Sequence, residues 1–449
     1  MAKLFGTDGV RGKAGSVLTA ELAMKLGQAA GHVFLEENGG KTGVVIVGRD
    51  TRISGQMLEC ALTAGLTSVG IQVISAGVVP TPAVAFLVRK FKALAGAVIS
   101  ASHNPFEDNG IKFFSASGTK LRDDQEETIE AVLQGKVNIQ PAEGKAIGRY
   151  AQVEEAIEVY KDYLDELMSI NGRDYHLVVD CANGAASELA QEVFERANLH
   201  VTMMGDRPNG SNINVNCGST HLEQLQKRVL EEGADAGLAF DGDADRFLAV
   251  DEKGNIVDGD RLMAIYALAM KEENRLRNNH LVVTVMSNLG LKLAMREAGI
   301  DLVETKVGDR YVNEGMQASG AVLGGEQSGH IIFREYNSTG DGMISAIMLL
   351  NIMNHKRLPL SVLADKAMTS LPQVLVNVPV KTKEGWQDIA AIQDAIRQAE
   401  AELGDTGRVL VRASGTENLL RVMVEGKDQK EIDVLANAIA NVVREAIGA

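Results

Sequence analysis

Chemistry in this sequence would start at Ser102, in the segment SASHNPFEDNGIK (100–112). The run LAGAVISAS (94–102) reads as a buried strand that breaks into a polar loop with Pro105, Asn109 and Gly110, leaving an exposed hydroxyl on a rigid support. Turn and capping duty is enough to explain Ser100, Ser102 and Asn104 taken alone. A second motif changes the weighing. FDGDADRF (240–247) places Asp241, Asp243 and Asp245 between the strand-like segments LAF and FLAV. Three carboxylates so close repel one another unless a cation neutralises them, and oxygen-only donors with room for phosphate oxygens suit Mg²⁺. An acidic solvated turn is the plainer reading, weakened by the alternation and the apolar flanks.

Two further loops offer groups for a polar, anionic ligand. GGEQSGH (324–330) presents Glu326, Ser328 and His330, and a carboxylate with a hydroxyl can bracket vicinal sugar hydroxyls; a tight turn is the competing reading. VRASGTENLL (411–420) sets Arg412, Ser414, Gly415 and Thr416 between two strands, where hydroxyls, freed backbone N–H groups and a guanidinium make an anion nest. A plain hairpin explains Gly415 but does not call for Arg412. GTDGVRG (6–12) and VGRDTRISG (47–55) add Arg11, Arg49 and Arg52 as a local cationic cluster. His103 and Lys112 are donors in the serine loop that can carry protons or contact phosphate.

Rival chemistries fail on spacing. Adjacent residues in an extended loop usually point apart, which is the expectation for Ser102 and His103, and no GxSxG elbow occurs, so an acyl-transfer triad is not expected. Counting an EF-hand loop from Asp241 brings Glu252 to the twelfth position, but Arg246 stands where that loop needs glycine. GGKTG (39–43) has Leu35 where a P-loop needs its first glycine.

The elements that must position these loops recur along the chain. TGVVIVG (42–48), IQVISAG (71–77) and LAGAVISAS alternate with helix patterns, and the scheme restarts at YHLVVDCANG (175–184) and again at HLVVTVMSN (280–288). From about Pro372 the order becomes strand, helix, strand, strand, helix, which implies an antiparallel sheet. The expected divisions are 1–150 with the serine loop, 151–255 with the metal loop, 256–368 with the sugar loop, and 369–449 as an α+β phosphate-binding domain.

Composition sets the outer bounds. The 449 residues exceed one ordinary domain, and 45% hydrophobic with 23% charged is globular composition. A formal charge of -15 disfavours nucleic acid and anionic membranes as partners. Cys60, Cys181 and Cys217 form no CxxC pair and no even set, so a disulfide framework is not expected. With no signal-peptide pattern and no membrane-length apolar run, the expected location is the cytoplasm.

SASHNP, DGDADR, GEQSGH and RASGTE, in that order and one per expected domain, resemble the α-D-phosphohexomutase superfamily along the whole chain. The opening FGTDGVRG with DGDADR and GEQSGH is similar to its glucosamine-phosphate branch rather than its mannose or glucose branches. The resemblance implies three related α/β/α domains with mixed sheets plus a C-terminal α+β domain, arranged around a central cleft. It implies interconversion of glucosamine 6-phosphate and glucosamine 1-phosphate, through phosphoserine and a hexosamine 1,6-bisphosphate intermediate and activator, towards UDP-N-acetylglucosamine and cell-wall precursors. It implies Ser102 as the phosphorylated serine, with one Mg²⁺ per subunit on Asp241, Asp243, Asp245 and the serine phosphate. Arg11, Lys112 and Arg246 match cationic or acid/base positions, Glu326 and Ser328 the sugar loop, and Arg412, Ser414, Gly415 and Thr416 the distal phosphate site. Lys306 and His330 match cleft residues, and a homodimer is implied. The residues alone leave open a metal-dependent phosphatase or a noncatalytic sugar-phosphate sensor.

Overall fold

The computed structural model describes residues 4–6, 8–153, 155–170, 174–414 and 418–449. Two of the expected phosphate ligands, Gly415 and Thr416, lie outside the described residues. The chain forms two compact units, Met1–Met286 with Ile300–Ala367, and Ser287–Gly299 with Met368–Ala449.

The larger unit contains three mixed sheets among its described residues. The first takes β1 (Val10–Lys13), β2 (Val44–Arg49), β3 (Gln72–Val78), β4 (Ala95–Ile99), β5 (Asp108–Ser115) and β6 (Tyr150–Gln152), in the order β1-β5-β4-β2-β3-β6. The second takes β7 (His176–Asp180), β8 (His200–Met204), β9 (Ala236–Phe240), β10 (Phe247–Asp251) and β11 (Ile256–Val257), in the order β11-β10-β9-β7-β8. The third takes β12 (His280–Thr284), β13 (Asp301–Thr305), β14 (Leu323–Gly325) and β15 (Ile331–Phe333), in the order β13-β12-β14-β15.

One topology underlies all three. A central strand (β2, β7 or β12) pairs in parallel with its successor on one side and with the next strand on the other, and a further strand returns antiparallel to the last. Parallel neighbours require crossovers, supplied for example by the helices Gly55–Ser68, Thr81–Lys90, Ser187–Arg196 and Glu223–Glu232. Helices on both faces explain why the central strands are Val-rich and buried, with Val45, Ile46 and Val47 fully enclosed. The returning hairpin of each sheet, β4 to β5, β9 to β10 and β14 to β15, carries in turn Ser102, the three aspartates, and the segment from Glu326 to His330. These hairpins leave the carboxyl ends of parallel strands beside the point where strand order reverses, the usual place for a ligand in such sheets.

One expectation is corrected here. Lys112 is on a strand rather than in a loop, because β5 begins at Asp108 and pairs with both β1 and β4. Asn109 and Gly110 resemble turn formers, but each is required by a strand contact. A Cβ on Gly110 would lie 2.6 Å from the Ser100 carbonyl oxygen, and the buried Asn109 amide donates to Ser54 Oγ at 2.9 Å.

The smaller unit is an antiparallel sheet of β16 (Gln373–Pro379), β17 (Arg408–Ala413) and β18 (Leu419–Glu425), in the order β16-β18-β17. The helices Ala390–Leu403 and Gln429–Ile447 supply Ile392 and Ile439 to a core with Val378, Leu420 and Val422. Ser287–Gly299 belongs here too: the Asn288 amide bonds the Leu371 backbone in both directions, each at 2.9 Å, and Arg408 donates to the Ser287 carbonyl at 2.6 Å. No helix among the described residues is long and apolar enough to cross a membrane.

Candidate active site

Ser102 is buried rather than exposed as its place at a strand exit suggests, because the aspartate hairpin covers it, and its backbone is left-handed (φ 51°), which side-chain-bearing residues seldom adopt. The conformation is fixed from beneath. Arg52, enclosed and paired through Nε with Asp50 at 2.9 Å, donates to the carbonyls of Ser102 (2.8 Å), Asn104 (2.9 Å) and Pro105. Asn214 donates to the same Ser102 and Asn104 carbonyls, at 2.9 and 3.1 Å. Asp50 also accepts from Ser100 Oγ at 2.6 Å, and Ser100 Oγ in turn accepts from the Ser102 N–H at 2.9 Å. This corrects the expectation for the arginines of VGRDTRISG. Arg52 is consumed as an internal brace, and Arg49 pairs with Glu59 at 2.8 Å.

So held, Ser102 Oγ donates to Asp241 Oδ2 at 2.6 Å, and it lies 3.3 Å from His103 Nδ1, against the expectation that the two side chains point apart, because the backbone at Ser102 is left-handed rather than extended. The approach of the two hairpins depends on Gly242, where a Cβ would sit 2.6 Å from the Ser102 carbonyl oxygen. Asp241, Asp243 and Asp245 are all buried, and one ligand atom from each falls within 4.8 Å of the others. Asp243 accepts from Thr81 Oγ1 (2.6 Å) and Lys112 Nζ (3.0 Å), while its Oδ1 and that of Asp245 are buried with no hydrogen-bond partner. Burial, with Asp245 and Asp243 alongside, raises Asp241 well above the usual carboxylate range. Buried, clustered oxygens with unused lone pairs fit a hard divalent cation.

Cations from several segments lie near the serine and aspartate loops, Arg246 and Arg11 acting on His103 and Lys112 bonding Asp243. Arg11 and Arg246 are half-buried, and the Nε of each has no hydrogen-bond partner. Unused guanidinium donors suit the oxygens of a phosphate. Burial, then Arg246 and Arg11, push His103 down to about 4, so it is neutral near pH 7. Burial opposes the charge on Lys112, but Asp243, Asp8 and Asp245 outweigh it and raise the ammonium above its ordinary value.

The third hairpin brings Glu326, half-buried and accepting from the Gly308 N–H at 3.0 Å, and an exposed Ser328. His330 is buried, with Nδ1 3.5 Å from Asp245 and Nε2 3.8 Å from Asp309. Burial would lower it, but those carboxylates outweigh burial and push the ring up to about 9. The Gly340 N–H points at Nε2 from 3.1 Å, a contact suited to the neutral ring, so amide and carboxylates compete for that nitrogen. Lys306 is exposed, its Nζ 5.8 Å from the centroid of the Tyr311 ring.

In the smaller unit Arg412 lies directly across from Arg421, a like-charge pair that an anion would relieve. The buried Arg412 Nε has no hydrogen-bond partner, and Lys383 donates to the Ser414 carbonyl at 3.0 Å. Motif reading passed over Asp8, Lys120, Asp309, Arg421 and Lys383. GTDGVRG and VGD contain two of them, but a single charged residue in a glycine turn carries no distinguishing pattern.

Comparison with known proteins gives consistent matches along the chain. Models for the phosphoglucomutase/phosphomannomutase family match α/β/α domain I at residues 2–139, domain II at 158–254, domain III at 258–371 and the C-terminal domain at 375–442. A phosphoglucosamine mutase of Shouchella clausii is 51% identical over 449 residues, covering 100% of each chain. One of Corynebacterium efficiens is 54% identical over 451 residues, covering 99% of this chain and 100% of its own. Among solved structures, a phosphoglucomutase/phosphomannomutase family protein from Burkholderia thailandensis superposes with a TM-score of 0.83 at 24% identity, covering 99% of this chain and 97% of that one.

Proposed function

The chain belongs to the phosphoglucomutase/phosphomannomutase family, and from that premise we propose that it is a phosphoglucosamine mutase interconverting glucosamine 6-phosphate and glucosamine 1-phosphate. The observation that carries the reading is Ser102 Oγ held 2.6 Å from Asp241, within a buried three-carboxylate cluster and among unused arginine donors. Full-length identity of 51% and 54% to phosphoglucosamine mutases supports glucosamine over neutral hexoses as the substrate.

The proposed reaction has two half-steps. The Ser102 Oγ–P bond breaks as the free sugar hydroxyl forms a new O–P bond, giving the 1,6-bisphosphate, and the hydroxyl proton passes to the enzyme. After the intermediate turns over, Ser102 takes the phosphoryl group from position six, and the proton returns to the departing sugar oxygen. Asp241, Asp243 and Asp245, with the serine phosphate, would hold Mg²⁺, which when bound neutralises charge on the transferring group. Arg11, Lys112 and Arg246 stabilise the same charge from the protein side. His103, neutral near pH 7, can accept a proton without first losing one, whereas Lys112 is held charged and His330 is drawn towards charge. Glu326 and Ser328 address the sugar hydroxyls, with Lys306 and His330 as further contacts. Arg412, Ser414, Gly415 and Thr416 grip the phosphate that is not reacting. The protein is expected to work in the cytoplasm as a homodimer, a state that analytical ultracentrifugation reads directly.

The test is the Ser102→Ala variant. Intact mass should lose one phosphate relative to wild type, and turnover of glucosamine 6-phosphate should fall by at least about a thousandfold. Wild-type turnover in the variant would overturn the mechanism. Equal efficiency of the native protein on mannose or glucose 6-phosphate would overturn the substrate.

A further inference from the structure

Six charged side chains and the imidazole of His330, all in the larger unit, form a run of acidic and basic groups whose middle the two half-steps do not require. It runs from Asp243 to Lys112 (3.0 Å), Asp8 (3.1 Å), Lys120 (2.5 Å), Asp309 (2.6 Å), His330 (3.8 Å) and Asp245 (3.5 Å). Its two ends are metal-loop carboxylates. Its middle, Asp8, Lys120 and Asp309, has no part in the proposed chemistry.

Lys120 is placed firmly for this task. It follows a tight turn closed by the Ser115 N–H on the Thr119 carbonyl at 2.7 Å, and its neighbour Leu121 is anchored in the hydrophobic core. Each carboxylate that it joins leads to a different part of the site. Asp8 pairs with Arg11, whose charge acts on His103 beside Ser102. Asp309 opens the helix Asp309–Ser319 directly after Gly308, whose N–H donates to Glu326 Oε1 at 3.0 Å. One ammonium therefore links the segment that carries Arg11 to the segment that orients Glu326.

Stability is a poor explanation for the link. Lys120, Asp8 and Asp309 are partly exposed, and ion pairs of that kind stabilise a fold by only about 0–1 kcal/mol because water already solvates the charges. Lys120, Asp309 and His330 line a cleft of about 360 Å³. The same seam is crossed by Ser338 Oγ donating to the Gly118 carbonyl at 2.6 Å and by Arg310 on Asp123 at 2.5 Å, so the ammonium adds the charged contact nearest the metal loop to a seam already held by neutral and surface bonds. Without the ammonium, Asp8 and Asp309 would face one another as like charges.

We propose that Lys120 is a positioning residue for the mutase reaction, holding the sugar loop at Glu326 in register with the phosphoserine pocket at Arg11 so that the bisphosphate is retained between half-steps. The proposal rests on the mutase reading. Registration matters at this scale, since a displacement of about 1 Å in a reacting site can lower rates by about a hundredfold.

The experiment compares wild type, Lys120→Met and Lys120→Arg with glucosamine 6-phosphate as substrate, titrating glucosamine 1,6-bisphosphate as activator and measuring bisphosphate released per turnover. Intact mass first establishes Ser102 phosphate in each. Lys120→Met should keep its phosphoserine yet raise both KM and the bisphosphate needed for half-maximal rate by about tenfold, with a smaller loss of kcat and more bisphosphate released. Lys120→Arg should recover most of the difference. Unchanged KM and bisphosphate release in Lys120→Met would overturn the proposal, as would equal impairment of the Arg and Met variants. Should Lys120→Met not fold, Asp309→Asn breaks the same link from its other end and is read by the same criteria. A wild type without Ser102 phosphate or mutase turnover would instead remove the mutase reading itself.

Discussion

Burying a guanidinium is tolerable only when its donors are used, and Arg52 spends its own on Asp50 and on three carbonyls of the serine loop. Arg52→Met leaves Asp50 as an uncompensated buried charge, and urea unfolding should register a loss of about 3–5 kcal/mol. Lysine is no substitute, because the three donors of an ammonium radiate from one nitrogen and cannot serve the carboxylate and all three carbonyls that the planar guanidinium reaches. The thiols give a second residue-level expectation. Burial, then Asp180, push Cys217 up to about 12, so its reactive thiolate is scarce at neutral pH. Iodoacetamide should label exposed Cys60 first, with Cys217 labelling rising about tenfold per pH unit through the alkaline range, as mass spectrometry of the modified peptides would follow. Ser102 and the three aspartates were legible in the sequence because their chemistry is concentrated in short runs. Arg52 was not: the letters of VGRDTRISG do not distinguish an arginine facing a ligand from one consumed inside the protein. Asp8, Lys120 and Asp309 were hidden for a related reason, since their meaning exists only once distant segments meet.

The elements were legible wherever one physical cause dominated. Runs such as VVIV and LVVD are buried on both faces of a parallel sheet, so unbroken hydrophobicity was enough to reveal them, and the spacing of these runs gave the restarts. β5 failed that test because Asn109 and Gly110 answer to close backbone approach and a buried amide contact, which imitate turn chemistry. The repeated returning hairpin adds something that motif order alone did not supply: the loops that carry Ser102, the three aspartates and Glu326 to His330 are structurally corresponding connections in three sheets. Corresponding hairpins can converge only if their tips are thin. Gly242→Ala would drive a methyl into the Ser102 carbonyl, the Ile213 side chain and the Asn214 amide. Thermal unfolding should report a loss of about 1–3 kcal/mol, and mutase assays a further fall in kcat with Ser102 phosphate still detectable by mass.

At the scale of the molecule, a surplus of negative charge surrounds a site that must hold anions, so every phosphate contact depends on cations placed locally by the fold. The buried aspartates make the complementary demand. Mg²⁺ at about a hundred times its dissociation constant should stabilise the protein by about 2.7 kcal/mol in thermal unfolding, and EDTA should abolish both that increment and turnover. Replacing Asp241, Asp243 and Asp245 together by Asn should remove the response to the ion. The alternation of charges that passes through Lys120 also bears on how the protein is made. Its earliest member is Asp8 and its last is His330, so a ribosome must release nearly three quarters of the chain before the circuit can be completed. A nascent chain that already carries Ser102 and Lys120 still lacks Asp309 and His330, so the bridge through Lys120 cannot form until synthesis has reached the third sheet.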